Sequence, residues 1–132
     1  PEEPPSTAHL ICHAAVHIAE KLGVDLIIVP TQTGFTARHV SQYRPTIPIF
    51  AVSPDHDIIE RLCLSWGVTP RPIPDLIEEE VRRSESDALV NEAVRTAKRY
   101  GFARPGNRAV ILGGLPLGES FVTNHLRVIE IP

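Results

Sequence analysis

The chain has 132 residues, 42% of them hydrophobic and 22% charged, the balance of one ordinary soluble domain with a real core. Its net charge is −3, from 13 basic and 16 acidic side chains. With no basic tract and only 5% aromatic residues, the composition argues against a nucleic-acid surface, and no apolar run reaches the length of a membrane span or reads as a signal peptide.

In chain order, residues 1–7 (PEEPPST) read as a linker or domain boundary ahead of a domain over residues 8–132. The sequence contains no methionine. It therefore reads first as a piece of a longer protein, and second as an independent protein that lost its initiator before Pro1.

Residues 8–22 (AHLICHAAVHIAEKL) place Ile11, Ala14, Ala15, Ile18 and Leu22 at three- and four-residue spacing. That spacing predicts an amphipathic helix, with Thr7 as its N-cap and Gly23 as its end. Residues 26–29 (LIIV) are continuously apolar, as in a strand buried on both faces of a parallel sheet. A second helix is expected over residues 34–43, stopped by Arg44-Pro45 because proline disfavours helix in the residue before it.

Residues 47–53 (IPIFAVS) predict the second strand. Pro54-Asp55 opens a third helix that turns Ile58, Ile59, Leu62, Cys63 and Trp66 inward and ends at Gly67. The third strand, residues 68–73, is rich in proline and belongs at a sheet edge. Residues 75–83 are polar and acidic, with Glu78, Glu79 and Glu80 on a solvated face.

A long helix follows at residues 86–100, with Leu89, Val90, Ala93, Val94 and Ala97 as its apolar stripe and Gly101 as its cap. Residues 108–112 (RAVIL) and 126–131 (LRVIEI) are the fourth and fifth strands. Between them, residues 113–124 lack the length and periodicity of a crossover helix, so the fifth strand should run antiparallel to the fourth. The alternation specifies an α/β fold with a mainly parallel sheet. Cys12 and Cys63 both fall in apolar helical patterns and read as buried thiols, which fits a reducing, cytoplasmic setting.

The loop Thr31-Gln32-Thr33-Gly34-Phe35-Thr36 lies between a strand and a helix start, where backbone N–H groups and the positive helix end favour a phosphate. It lacks the lysine of a P-loop and the three glycines of a dinucleotide turn. Its plainer reading is a helix N-cap by Thr33 supported by Thr36. The glycine-rich loop GGLPLGESFVTN follows the fourth strand. If the first and fourth strands are neighbours, both loops meet where ligands bind in open α/β sheets, which favours a small phosphorylated ligand.

These residues carry a resemblance. The run AHLICHAAVHIAEKLGVDLIIVPTQTGFTARHVSQYRPTIPIFAVSPD, then GFARPGNRAVILGGLPLG and TNHLRV, resembles the C-terminal domain of pyruvate kinase from about Thr7 onward. TQTGFTAR and YRPTIPIFAV are similar to that family's T-x-S-G-x-T-A-R and Y-R-P-x-x-P-I-x-A-V. The resemblance implies a three-layer α/β/α domain with a five-stranded mixed sheet in the order 3-2-1-4-5, strand 5 antiparallel.

It also implies a regulatory role. Thr31, Gln32, Thr33, Gly34, Phe35 (through its backbone) and Thr36 would bind the phosphate of an allosteric effector, a sugar monophosphate or nucleotide. The loop carrying Gly114, Pro116, Gly118, Ser120 and Thr123 would close over it. The implied partners are the catalytic barrel domain of a parent chain and further copies in a tetramer. The parent would move phosphate from phosphoenolpyruvate to ADP with magnesium and potassium, whereas this domain would need no cofactor.

The sequence departs from the family's pattern in places. Leu89 and Arg82 stand where animal and fungal members hold a second phosphate with arginine and tryptophan. Thr33 replaces the usual serine, Phe35 an often polar residue, and Ser120-Phe121-Val122 a glycine–threonine stretch. A monophosphate therefore fits better than a bisphosphate.

Phosphoryl transfer needs metal-holding carboxylates and a neutralising cation. Lys21 and Lys98 are the only lysines and stand away from both loops, so no catalysis is expected from this chain alone. The rival readings are a structural assembly domain with a vestigial pocket and a stand-alone phosphometabolite-binding protein. His9, His13 and His17 share a helix face at zinc-ligand spacing, with nothing placed to complete a site, and read as a solvent or interface stripe. Asp55, His56 and Asp57 read as a helix cap, and Ser120 lacks a nucleophile-elbow pattern.

Overall fold

The computed structural model describes residues 6–73, 86–113, 116–117, 120–121 and 125–132. The expectations for residues 1–5, for the acidic stretch 75–83 and for Arg82 lie outside them, as does any statement on the Leu89 side chain.

The sheet is built from the chain's apolar runs. β1 (Leu26–Pro30) and β2 (Ile49–Ser53) are buried at every position. β4 (Arg108–Gly113) is buried at all but Arg108. Strands covered on both faces suit parallel pairing, and β1 runs parallel to both β2 and β4. β3 (Val68–Pro72) runs parallel to β2, and β7 (His125–Glu130) antiparallel to β4.

The resulting five-stranded order is β3-β2-β1-β4-β7, which is the expected 3-2-1-4-5 with β7 as the fifth predicted strand. The connection predicted as a plain loop contains two short antiparallel strands, β5 (Pro116–Leu117) and β6 (Ser120–Phe121). Proline places β3 at the edge. Ile73 N–H donates to Ser53 O, so the alternate positions Pro70 and Pro72 face outward and carry no N–H.

α1 (Thr7–Leu22), α2 (Phe35–Gln42) and α3 (His56–Leu62) cover one face, where Cys12, Ala15, Ala37, Val40, Ile58 and Leu62 pack on Ile27, Val29, Ile49 and Val110. α4 (Ser86–Arg99) covers the other, where Val90, Ala93, Val94 and Ala97 meet Leu26, Ile28, Phe50 and Ile111. Phe50 is fully buried and packs a tilted ring against Phe102 at 5.0 Å.

Several local expectations change, among them the inward face of α1, which buries Ala8, Cys12, Ala15, Val16 and Ala19 and leaves Ala14 and Leu22 exposed. α1 starts one residue early, so its N-cap is Ser6, whose hydroxyl accepts the His9 N–H; Gly23 caps the other end in the left-handed region, as expected. α3 stops at Leu62, before Gly67, because i→i+3 bonds from Leu64 to Arg61 and from Ser65 to Leu62 tighten the chain into turns. Those turns rotate Cys63 and Trp66 outward, so Cys63 is an exposed thiol, whereas Cys12 is buried and its thiol is pushed up to about 11.

Candidate functional site

The chain winds from β1 through β2 to β3 on one side, then returns to β4 on the other. β1 is therefore at the point where winding direction reverses, and its carboxyl end opens beside that of β4. Ile28 pairs with Ile111, so the chain leaves both strands within two residues of that pair.

Residues 31–36 occupy this position. The Thr31 N–H donates to Val52 O at 2.9 Å, which ties the loop to β2. The Thr31 Oγ1 then accepts the Gly34 N–H at 2.8 Å, and the Thr33 Oγ1 accepts the Phe35 N–H at 3.2 Å. Two amides expected to face a phosphate are thus met by the loop's own hydroxyls. Each hydroxyl that accepts still carries a hydrogen that can be donated. The loop's chemistry toward an anion therefore shifts from those two amides to O–H groups.

Thr31 and Thr36 are buried, Gln32 and Thr33 are exposed, and Phe35 is half-buried. Thr33 is the hydroxyl most open to a ligand. The N-cap of α2 is Gly34, not Thr33, with φ of 83° and no side-chain cap bond. A Cβ at Gly34 would stand in ordinary contact with α3, 3.4 Å from Ile58 Cγ2 and 3.6 Å from Leu62 Cδ2, so it is the left-handed backbone rather than lack of space that calls for glycine. The first turn of α2 has no acidic residue to oppose an anion.

Of the second loop, Gly114, Gly118 and Thr123 lie outside the described residues. Pro116 and Ser120 belong to β5 and β6, whose backbones pair as Pro116 with Phe121 and Leu117 with Ser120. The start of the loop is defined. Gly113 pairs with His125, whose Nδ1 lies 2.8 Å from Gly113 O, and a Cβ at Gly113 would meet the imidazole at 2.9 Å. Burial, then the Arg127 charge, holds the His125 imidazole below its ordinary value.

The sequence reading missed a ring stack at the α1–α2 seam. Phe35, His39 and Tyr43 recur every four residues on α2. His39 stacks on Phe35 at 5.4 Å and meets Tyr43 edge-on at 5.7 Å. From α1, His9 sits 4.3 Å from His39 and 5.7 Å from Phe35, and His13 stacks on Tyr43 at 5.3 Å. Two members of the expected histidine stripe thus make ring contacts, half-buried His9 and exposed His13, and His17 is exposed. Asp55 caps α3, accepting the Asp57 and Ile58 N–H groups, as expected.

A separate groove of about 450 Å³ lies between α4 and β7, rimmed by Arg95, Lys98 and Arg127. Its cations are already occupied. Arg95 pairs with Glu92 at 2.5 Å, Lys98 donates to the Pro132 carbonyl, and Arg127 has a partner of its own. It competes poorly with the switch-point loop. Among the described residues, no helix is long and apolar enough to cross a membrane.

Residues 9–129 match the family of pyruvate kinase alpha/beta domains. Among relatives, pyruvate kinase of Lactobacillus delbrueckii subsp. bulgaricus is 36% identical over 118 residues, which is 89% of this chain and 19% of that protein. Pyruvate kinase of Clostridium acetobutylicum is 35% identical over 126 residues, 96% of this chain and 25% of that protein. Pyruvate kinase of Staphylococcus aureus is 35% identical over 123 residues, 93% of this chain and 20% of that protein. The chain thus spans a fifth to a quarter of the length of these relatives. With the sheet order and the match over residues 9–129 in agreement, the chain belongs to the pyruvate kinase C-terminal, alpha/beta domain family.

Proposed function

We propose that this domain is the regulatory part of a pyruvate kinase and binds a phosphorylated effector at residues 31–36. The observation that carries the reading is the gathering of three threonines and a left-handed glycine at the carboxyl end of β1, beside the end of β4. The parent enzyme would transfer phosphate from phosphoenolpyruvate to ADP in the cytoplasm with magnesium and potassium, in a barrel domain outside this chain. This domain would contribute effector sensing and tetramer contacts rather than catalysis. For an effector to regulate, it must bind one conformational state more tightly than another.

A second reading has an observation of its own. The Gly34 and Phe35 amides are already engaged by Thr31 and Thr33, as in a loop that serves only as a capped turn in an assembly domain. Calorimetric titration separates the two. Ribose 5-phosphate, glucose 6-phosphate, AMP and fructose 1,6-bisphosphate are titrated into the wild-type chain, Thr33→Ala and Thr36→Ala. Saturable binding of a monophosphate that both substitutions weaken supports the regulatory site. Heat from none of the four ligands favours the assembly reading.

A further inference from the structure

Phe35 belongs to two structures at once. Its N–H is held by Thr33 inside the candidate phosphate loop, and its ring is the floor on which His39 stacks, 5.4 Å away with planes 9° apart. His39 therefore touches the loop through Phe35, one helical turn from the place where an anion would sit.

The surroundings of His39 suit a neutral ring. Its Nε2 is buried with no hydrogen-bond partner among the described residues. Among the described residues, the titratable rings in contact with it are His9 from α1 at 4.3 Å and Tyr43, the C-cap of its own helix, at 5.7 Å, with His13 stacked behind Tyr43. None of these is a carboxylate. His9 is itself held, its Nδ1 lying 2.6 Å from the Ser6 hydroxyl that caps α1. Burial, then the neighbouring His9, keeps the His39 imidazole below its ordinary value of 6.5.

We propose that His39 is a positioning residue for the phosphate loop, and that adding a proton to it weakens anion binding there. The inference rests on the loop being an anion site. A proton on Nε2 is stranded in a buried position unless the ring moves out to reach water. Moving the ring takes away the stacking partner of Phe35 and loosens the backbone that Thr33 secures. The added positive charge would attract an anion, but it acts from a full turn away and is screened over about 8 Å at physiological ionic strength. Unseating Phe35 is the larger effect.

The test uses sulfate as the probe, because its charge is fixed between pH 5 and 8 whereas a phosphate monoester titrates there. Sulfate is titrated into the 132-residue chain across this range, following the Gly34 and Phe35 amide resonances, while the histidine ring resonances report the His39 midpoint. Only the neutral fraction is competent, so binding should weaken up to about tenfold for each pH unit below that midpoint. His39→Gln should flatten the profile. His9→Gln should raise the His39 midpoint and carry the binding profile with it, which serves as the second variant if the first unfolds. Binding whose pH profile is the same in wild type and His39→Gln overturns the proposal and leaves the anion site standing. No sulfate-dependent shift at any pH, together with no heat from the sugar phosphates, overturns the site and this inference with it.

Discussion

On one face of the sheet, α1, α2 and α3 divide the covering between them; on the other, among the described residues, α4 is the one helix. The three-helix face is assembled from short pieces, and each start is secured by a local device: Ser6 for α1, Thr31 and Thr33 before α2, Asp55 for α3. The α4 face relies instead on bulk, with Phe50 and Phe102 in contact and Leu26, Ile28 and Ile111 beside them. The first face is jointed at these caps and carries the candidate site. The second is an anchor.

The sharpest way to break this contrast is to remove one large side chain from each face. Phe50→Ala should cost about 3–5 kcal/mol of unfolding free energy and leave the resonances of residues 31–36 near their wild-type positions. Leu62→Ala should cost about 2–5 kcal/mol and also shift the Gly34 and Phe35 amides, because Leu62 lies against Gly34. Urea unfolding with amide spectra of both variants checks the pair. Equal disturbance of the loop by both would mean that the faces are not separable.

A smaller effect is expected at the joint itself. Gly34→Ala forces an L side chain to φ of 83°, costing about 1–2 kcal/mol, and places a methyl 3.4 Å from Ile58. Stability should fall, and monophosphate heat should fall further than stability alone explains. A variant as stable as wild type would show that the left-handed cap is not required.

The smallest effect compares His39 on the jointed face with His125 at the end of β7. Both imidazoles are held below 6.5 in the folded chain, chiefly by burial. Above that value folded and unfolded forms are alike neutral. As pH falls below it, the unfolded chain takes up protons that the folded chain refuses, so stability declines until the folded-state values are passed. Urea midpoints at pH 7.5 and 5.5 should show this decline, and His39→Gln and His125→Gln should each reduce it. A midpoint that rises on acidification would contradict the burial of both rings.

Much of the fold was legible because its signals are local. Continuous apolar runs marked β1, β2 and β4, Gly23 and Gly101 marked the ends of α1 and α4, and the short connection before β7 required antiparallel pairing. Cys63 and Trp66 misled because their spacing continues the apolar pattern of α3, whereas the backbone had already tightened into turns. The site was legible as a position. Its internal bonding was not, since a threonine hydroxyl reads alike whether it caps an amide or waits for a ligand. The ring stack was visible on α2 as an aromatic or imidazole residue every fourth position, but its α1 partners come from 26 and 30 residues earlier (39 − 13 and 39 − 9) and needed the fold to meet it.

The two borders of the sheet have unequal consequences. Pro70 and Pro72 occupy the outward positions of β3, and the Val68 N–H is turned back onto Ser65 O, so among the described residues this border offers no amide to an arriving strand. β7, on the far side, pairs with β4 alone among the described strands. A sheet with one sealed border and one open border cannot be extended like a ribbon: two copies that join edge to edge consume the open border of each and leave only sealed ones. Growth by strand addition ends at a pair, and the prolines that shaped β3 also guard the domain against fibres.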